Sequence, residues 1–159
     1  MRLKDNWYQR VVHILTGIAL LAVWLHLLLA WRHLPAQIPT NFDFSGEPTD
    51  WGGKASVLIS PIICTVTAII LFVVEWFPQT WNTGVQVTPL NQAFVYRTLK
   101  NMLATLELAM VLTFGIVDYF ILQAVNMPVW VLPVMLLLIM GPIVFFLIRL
   151  VNGSKKFRI

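Results

Sequence analysis

Four long apolar runs constrain this chain more than any other feature: Val11 to Trp31, Ala55 to Phe77, a third ending at Gln123, and Pro128 to Val151. A helix rises about 1.5 Å per residue, so about 20 apolar residues cross roughly 30 Å of hydrocarbon. Lipid offers no hydrogen-bond partner to a bare backbone amide, so a spanning segment of this length satisfies its own amides as a helix. The runs therefore predict an all-α integral membrane bundle of four transmembrane helices, treated as one domain over residues 1–159, with spans near 11–31, 55–77, 99–123 and 128–151. The third start is the least sharp, falling between Ala93 and Met102, because Tyr96-Arg97-Thr98-Leu99-Lys100-Asn101 is a polar turn. The first run has a basic start but exceeds the roughly 7–15 residues of a signal-peptide core, and reads as a retained helix.

Charge gives the orientation. Only 11% of residues are charged, against about 25% in soluble domains. Placing the amino terminus in the cytoplasm puts nine Lys and Arg residues there and leaves Arg32 and Lys54 outside. That asymmetry predicts both termini cytoplasmic and residues 32–54 as an extracytoplasmic loop. The basic residues flank apolar runs and form no polar face, so the net charge of +4 implies no nucleic-acid partner; the lipid bilayer is the partner it does imply. Trp7, Tyr8, Trp31, Trp76, Trp81 and Trp130 fall near helix ends, as an interfacial belt requires. Pro61, Pro133 and Pro142 lie within spans and predict local bends.

The loop from Arg32 to Lys54 is longer than two adjacent antiparallel helices need. Its prolines stiffen it, its glycines permit tight turns, and Phe42, Phe44 and Trp51 offer packing surface, so an ordered cap is expected at the outer mouth of the bundle. Its candidate ligand- or partner-binding residues are Pro35, Pro39, Asn41, Phe42, Asp43, Gly46, Pro48, Asp50, Trp51 and Lys54.

Within that loop Leu34, Pro35, Ile38, Pro39, Phe42, Gly46, Pro48, Trp51, Gly52 and Lys54 stand at the spacing Leu-Pro-x-x-Ile-Pro-x-His-Phe-x-x-x-Gly-x-Pro-Asp-x-Trp-Gly-x-Lys, and Val87-Thr88-Pro89-Leu90-Asn91 with Tyr96-Arg97 forms a second block. In these motifs the chain resembles the DUF1648 membrane proteins, relatives of the bacterial SdpI-type toxin-immunity proteins, over about the first 120 residues. Asn41 and Thr49 stand where that family usually has His and Asp, and the helices that SdpI-type proteins carry further on are not found here. The resemblance implies a bacterial inner-membrane location and a non-catalytic binding, sensing or immunity-type role through the outer loop, with a peptide, toxin or other membrane subunit as partner. The alternatives are an accessory subunit of a larger membrane complex and an ion- or proton-coupled transporter.

The third span carries Lys100, Glu107 and Asp118, spaced by 7 and 11 residues. At about 100° per residue they fall within roughly 40° of one line, a polar stripe that should face the bundle interior because a charge facing lipid costs at least about 2.5–3.5 kcal/mol. Arg97, Lys100, Arg149 and His13 are candidate partners for Glu107, and His26, Arg32 and Lys54 for Asp118. With no second acidic helix in view, a structural ion pair is the favoured reading. His13 and His26 are about 20 Å apart on one helix and share no metal; with no ligand-spaced neighbour and one cysteine, Cys64, no metal site or cofactor is expected. Ser56, Ser60 and Cys64 show no base for nucleophilic catalysis, and Glu75 reads as an interfacial residue at a helix end.

Overall fold

The computed structural model describes residues 4–156. Four long helices are present: α1 (Trp7–Ala30), α2 (Ile59–Val74), α3 (Gln92–Gln123) and α4 (Val131–Lys155). With the 3-10 turn Lys54–Leu58 that leads into α2, all four are long and apolar enough to cross a membrane. Between α1 and α2 lies a two-stranded antiparallel sheet, β1 (Gln37–Phe42) and β2 (Pro48–Gly53). The ordered loop of the sequence reading is thus a hairpin, a small β element in an otherwise helical protein.

α3 is the hub. The other three long helices each pack along it, while α1 and α2 meet only marginally. At 32 residues, about 48 Å, it outruns the hydrocarbon thickness, and its polar start at Gln92 to Lys100 supplies the excess. It begins at Gln92, earlier than the span expected from residue 99, because the preceding turn folds against it: Asn91 Oδ1 accepts from Thr88 N at 2.8 Å and Asn91 Nδ2 donates to Gln86 O at 2.9 Å. The Thr-Pro-x-Asn motif is therefore a helix-starting turn. At its far end α3 stops in a left-handed residue, Ala124, at φ 51°, a conformation that costs a residue with a Cβ about 1–2 kcal/mol.

The prolines behave differently from the expectation of bends within spans. Pro61 and Pro133 are each the third residue of their α-helix, in the first turn, where proline is best tolerated. Among the described residues only Pro142 lies inside a helix. Outward, α1, α2 and α4 present large apolar side chains, including Ile14, Leu21, Ile69, Leu137 and Phe145, the surface a lipid-facing bundle needs. Inward, three small apolar clusters run down α3: Leu27, Leu34, Ile38, Val57, Ile121 and Leu122 under the hairpin; Cys64, Ala68 and Val111 at mid-height; Val95, Leu99 and Leu150 at the other end.

Candidate functional site

The hairpin is braced rather than draped. β1 and β2 pair from Gln37↔Gly53 to Phe42↔Pro48, with irregular register around Asn41. Ile38 and Pro39 turn inward and are fully buried, and Ile38 joins the cluster that seals the top of α1 and α3. Its tip closes on Asp43, whose Oδ1 accepts from Ser45 N at 2.8 Å, Ser45 Oγ at 2.6 Å and Glu47 N at 3.0 Å. This is the side-chain turn that Asp favours, and the Ser45 hydroxyl, then the Glu47 amide, hold the Asp43 carboxyl below its ordinary 3.8.

Gly46 sits beside that turn at φ +83°, and its carbonyl accepts from Met127 N at 2.8 Å, tying the tip to the α3–α4 connection. A Cβ there would stand 1.7 Å from Met127 O, so only glycine fits. At the base, Lys54 Nζ lies 5.1 Å from the Trp31 ring centroid, a cation–π contact between the ends of hairpin and α1.

Of the loop residues singled out from the sequence, Pro39 and Gly46 are buried, Phe42 packs against the core cluster, and Pro48 and Lys54 are half-buried. These position the hairpin. Pro35, Asn41, Asp43, Asp50 and Trp51 are exposed, and Asn41 Nδ2 donates to Asp50 Oδ2 across the ribbon at 3.0 Å. Phe44 joins them at 87% exposure, with Trp51 at 56%.

The stripe on α3 points inward, with Lys100, Glu107 and Asp118 all buried, but it divides into two places. Asp118 is about 16 Å along the helix from Glu107; it takes a hydrogen bond from Ser60, and among the described residues it forms no ion pair with His26, Arg32 or Lys54. Its Oδ2 has no hydrogen-bond partner among the described residues. Lys100 and Glu107 belong to a cluster at the end of the bundle where the described chain begins. Lys100 pairs with Asp5. His13 Nδ1 lies 3.4 Å from Glu107 Oε2 and His13 Nε2 lies 3.2 Å from Glu75 Oε2. Amide contacts zip α1 to α3 around them: Asn6 Nδ2 and Gln9 Nε2 both donate to Asn101 Oδ1, and Tyr8 and Thr105 share a hydroxyl contact at 2.8 Å.

Two sequence expectations change here. Glu75 does stand at the end of α2, but it is 3% exposed and turned inward, and is the second acid that the stripe lacked. His13 does have ligand-type neighbours, because single ligand atoms of Asp5, His13 and Glu75 come within 4.8 Å of one another. Neither is visible as spacing. The usable signal was depth: His13 lies early in α1 and Glu75 follows the last turn of α2, so antiparallel helices bring them level.

Residues 17–65 match the family model described as Domain of unknown function (DUF1648). The match runs from α1 through the hairpin into α2, a narrower stretch than the first 120 residues over which motifs were read. An uncharacterized protein from Archaeoglobus fulgidus is 33% identical over 57 residues, 36% of this chain and 31% of that protein, so the similarity spans about a third of the relative's length. No solved structure matches. The hairpin lies inside the matched segment, whereas His13, Glu75, Lys100, Glu107 and Asp118 lie outside it. The chain is a multi-pass membrane protein whose first helix, hairpin and start of second helix match the DUF1648 family model.

Proposed function

We propose that this protein is a non-catalytic binding module of a bacterial inner membrane, its termini cytoplasmic and its hairpin outside, where it captures an extended peptide segment of a toxin or of a neighbouring membrane protein. The observation that carries the reading is the pairing of a rigid base with exposed aromatic side chains: Ile38, Pro39 and Gly46 anchor the hairpin while Phe44 and Trp51 stand out from it. Rigid exposed aromatics contribute contact area at small entropic cost, the usual make-up of a binding hot spot. Among the described residues β2 pairs only with β1, so its other edge has main-chain groups available to an added strand. The collection of Lys and Arg at the opposite end supports the orientation.

A photo-crosslinking amino acid placed at Phe44 in growing cells tests this. A discrete protein adduct that disappears in a Trp51→Ala background is the expected result; adducts to lipid alone would make Phe44 and Trp51 interfacial anchors and end the proposal. A reporter fused after the last residue should read cytoplasmic, and an external reading reverses the orientation.

A second reading, an accessory subunit of a membrane complex, draws on a groove of about 620 Å³ between α1 and α3, lined by Ala19, Ala22, Val23, Val111, Gly115 and Trp130 among others. Small residues of this kind let a partner helix approach closely. Isolation in mild detergent always without a partner counts against it. Transport through Glu107 and Asp118 has less support, given their separation along α3.

A further inference from the structure

The cluster on the side away from the hairpin gathers three carboxylates around one histidine and one lysine. Asp5, Glu75 and Glu107 are three carboxylates, against which stand Lys100 and the imidazole of His13. A neutral imidazole has one N–H, yet both His13 nitrogens face carboxylate oxygens, at 3.2 and 3.4 Å. One of the two contacts therefore needs a positive species between its atoms.

The geometry fits the cation. Two ligands held about 2.0–2.1 Å from a tetrahedral zinc-type ion stand about 3.3 Å apart, and His13 Nε2 to Glu75 Oε2 is 3.2 Å. Asp5 supplies a third oxygen within the same 4.8 Å span. Glu107 Oε2 lies on the far side of the ring, 3.4 Å from Nδ1, the side from which a carboxylate behind a metal-bound histidine acts once the contact shortens to a hydrogen bond, leaving Nε2 to face the ion. A separate observation points the same way: the Glu75 side chain is 2% exposed, and its Oε1 has no hydrogen-bond partner among the described residues. A buried carboxylate oxygen left bare is costly unless something binds it.

We propose that Asp5, His13 and Glu75 form a binding site for one divalent transition-metal cation of the zinc class, with Glu107 as the positioning residue behind His13 and Lys100 holding Asp5. The site joins the beginning of α1 to the end of α2, with Glu107 and Lys100 of α3 behind it, so an ion there clamps α1 to α2 and leaves a coordination position for water or a small anion.

The test uses full-length, tag-free protein in mild detergent, loaded with zinc and desalted, with metal content measured by mass spectrometry and affinity by calorimetry. One zinc per chain is expected, together with a higher melting temperature that chelator reverses. Cobalt in place of zinc should give visible absorption bands that grow to one equivalent. Glu75→Gln should weaken binding at least about 10-fold, and Glu107→Gln by about 10–100-fold as for other residues behind a metal-bound histidine. Should Glu75→Gln not fold, Asp5→Asn serves, since the Asp5 side chain is 41% exposed and the asparagine keeps an oxygen to accept from Lys100. Asp118→Asn, distant from the cluster, should bind as the parent does. Absence of zinc above the detergent blank, or binding unchanged in both Glu75→Gln and Asp5→Asn, overturns the site and leaves His13 as a protonated bridge between two carboxylates.

Discussion

At the hairpin end of the bundle the cluster of Leu34, Ile38 and Val57 is apolar and Gly46 lacks a side chain, with Asp118 buried about one turn further along α3, and the polar groups of the turn satisfy one another at the surface. At the opposite end the inward-facing residues are charged: Glu75, Lys100 and Glu107 are buried around His13. The first end is held by burial and shape, which tolerates conservative change and depends little on what else is bound. The second is held by complementary charge in a low-dielectric place, where each group depends on its partners and removing one exposes the rest.

The largest expected effect tests the charged end. His13→Ala leaves Glu75 and Glu107 without their shared partner and should lower stability in detergent by about 3–5 kcal/mol, measured by thermal unfolding. Replacing His13, Glu75 and Glu107 together by leucine should cost far less than His13→Ala alone, since replacing a buried ionic group by apolar residues is often neutral; a triple variant as damaged as the single one would mean that packing, not charge, holds this end.

Next is the apolar end, where Ile38→Ala should cost about 2–5 kcal/mol, the range for truncating a fully buried aliphatic residue. A change below about 0.5 kcal/mol would put Ile38 in the class of surface positions and remove the contrast. Gly46→Ala meets Met127 O and a left-handed backbone together, and should cost about 2 kcal/mol, with the hairpin becoming sensitive to protease while the helices stay resistant.

The smallest effect depends on pH. The Asp43 carboxyl is held below its ordinary 3.8 in the folded turn, so the stability it contributes is full above that value and is lost as pH falls through the lower, folded one. The protection of the Ser45 and Glu47 amides in micelles, measured as exchange relative to the intrinsic rate at each pH, should fall only in acid, and Asp43→Asn should abolish the pH dependence of that protection.

Much of this protein was legible before folding. The spans follow from run length alone, and the inward turn of Lys100, Glu107 and Asp118 follows from helical spacing in a medium that penalises exposed charge. The hairpin strands were not legible, since Pro39, Pro48, Gly52 and Gly53 break the alternating pattern by which strands are read. Nor did the sequence reveal that Pro61 and Pro133 are first-turn residues, because hydropathy reports a span's apolar extent and not where its helix begins.

What the sequence by itself determined is therefore the medium and the number of crossings, quantities that sum over many residues and so survive uncertainty at any one of them. What only the tertiary structure decided is which side chains share a place: that Glu75 reaches His13 from a different helix, that Asp118 stands apart from Glu107, and that Gly46 docks on Met127. Such contacts join residues tens of positions apart, and their energies are set by distance and burial, which no local pattern of residues encodes.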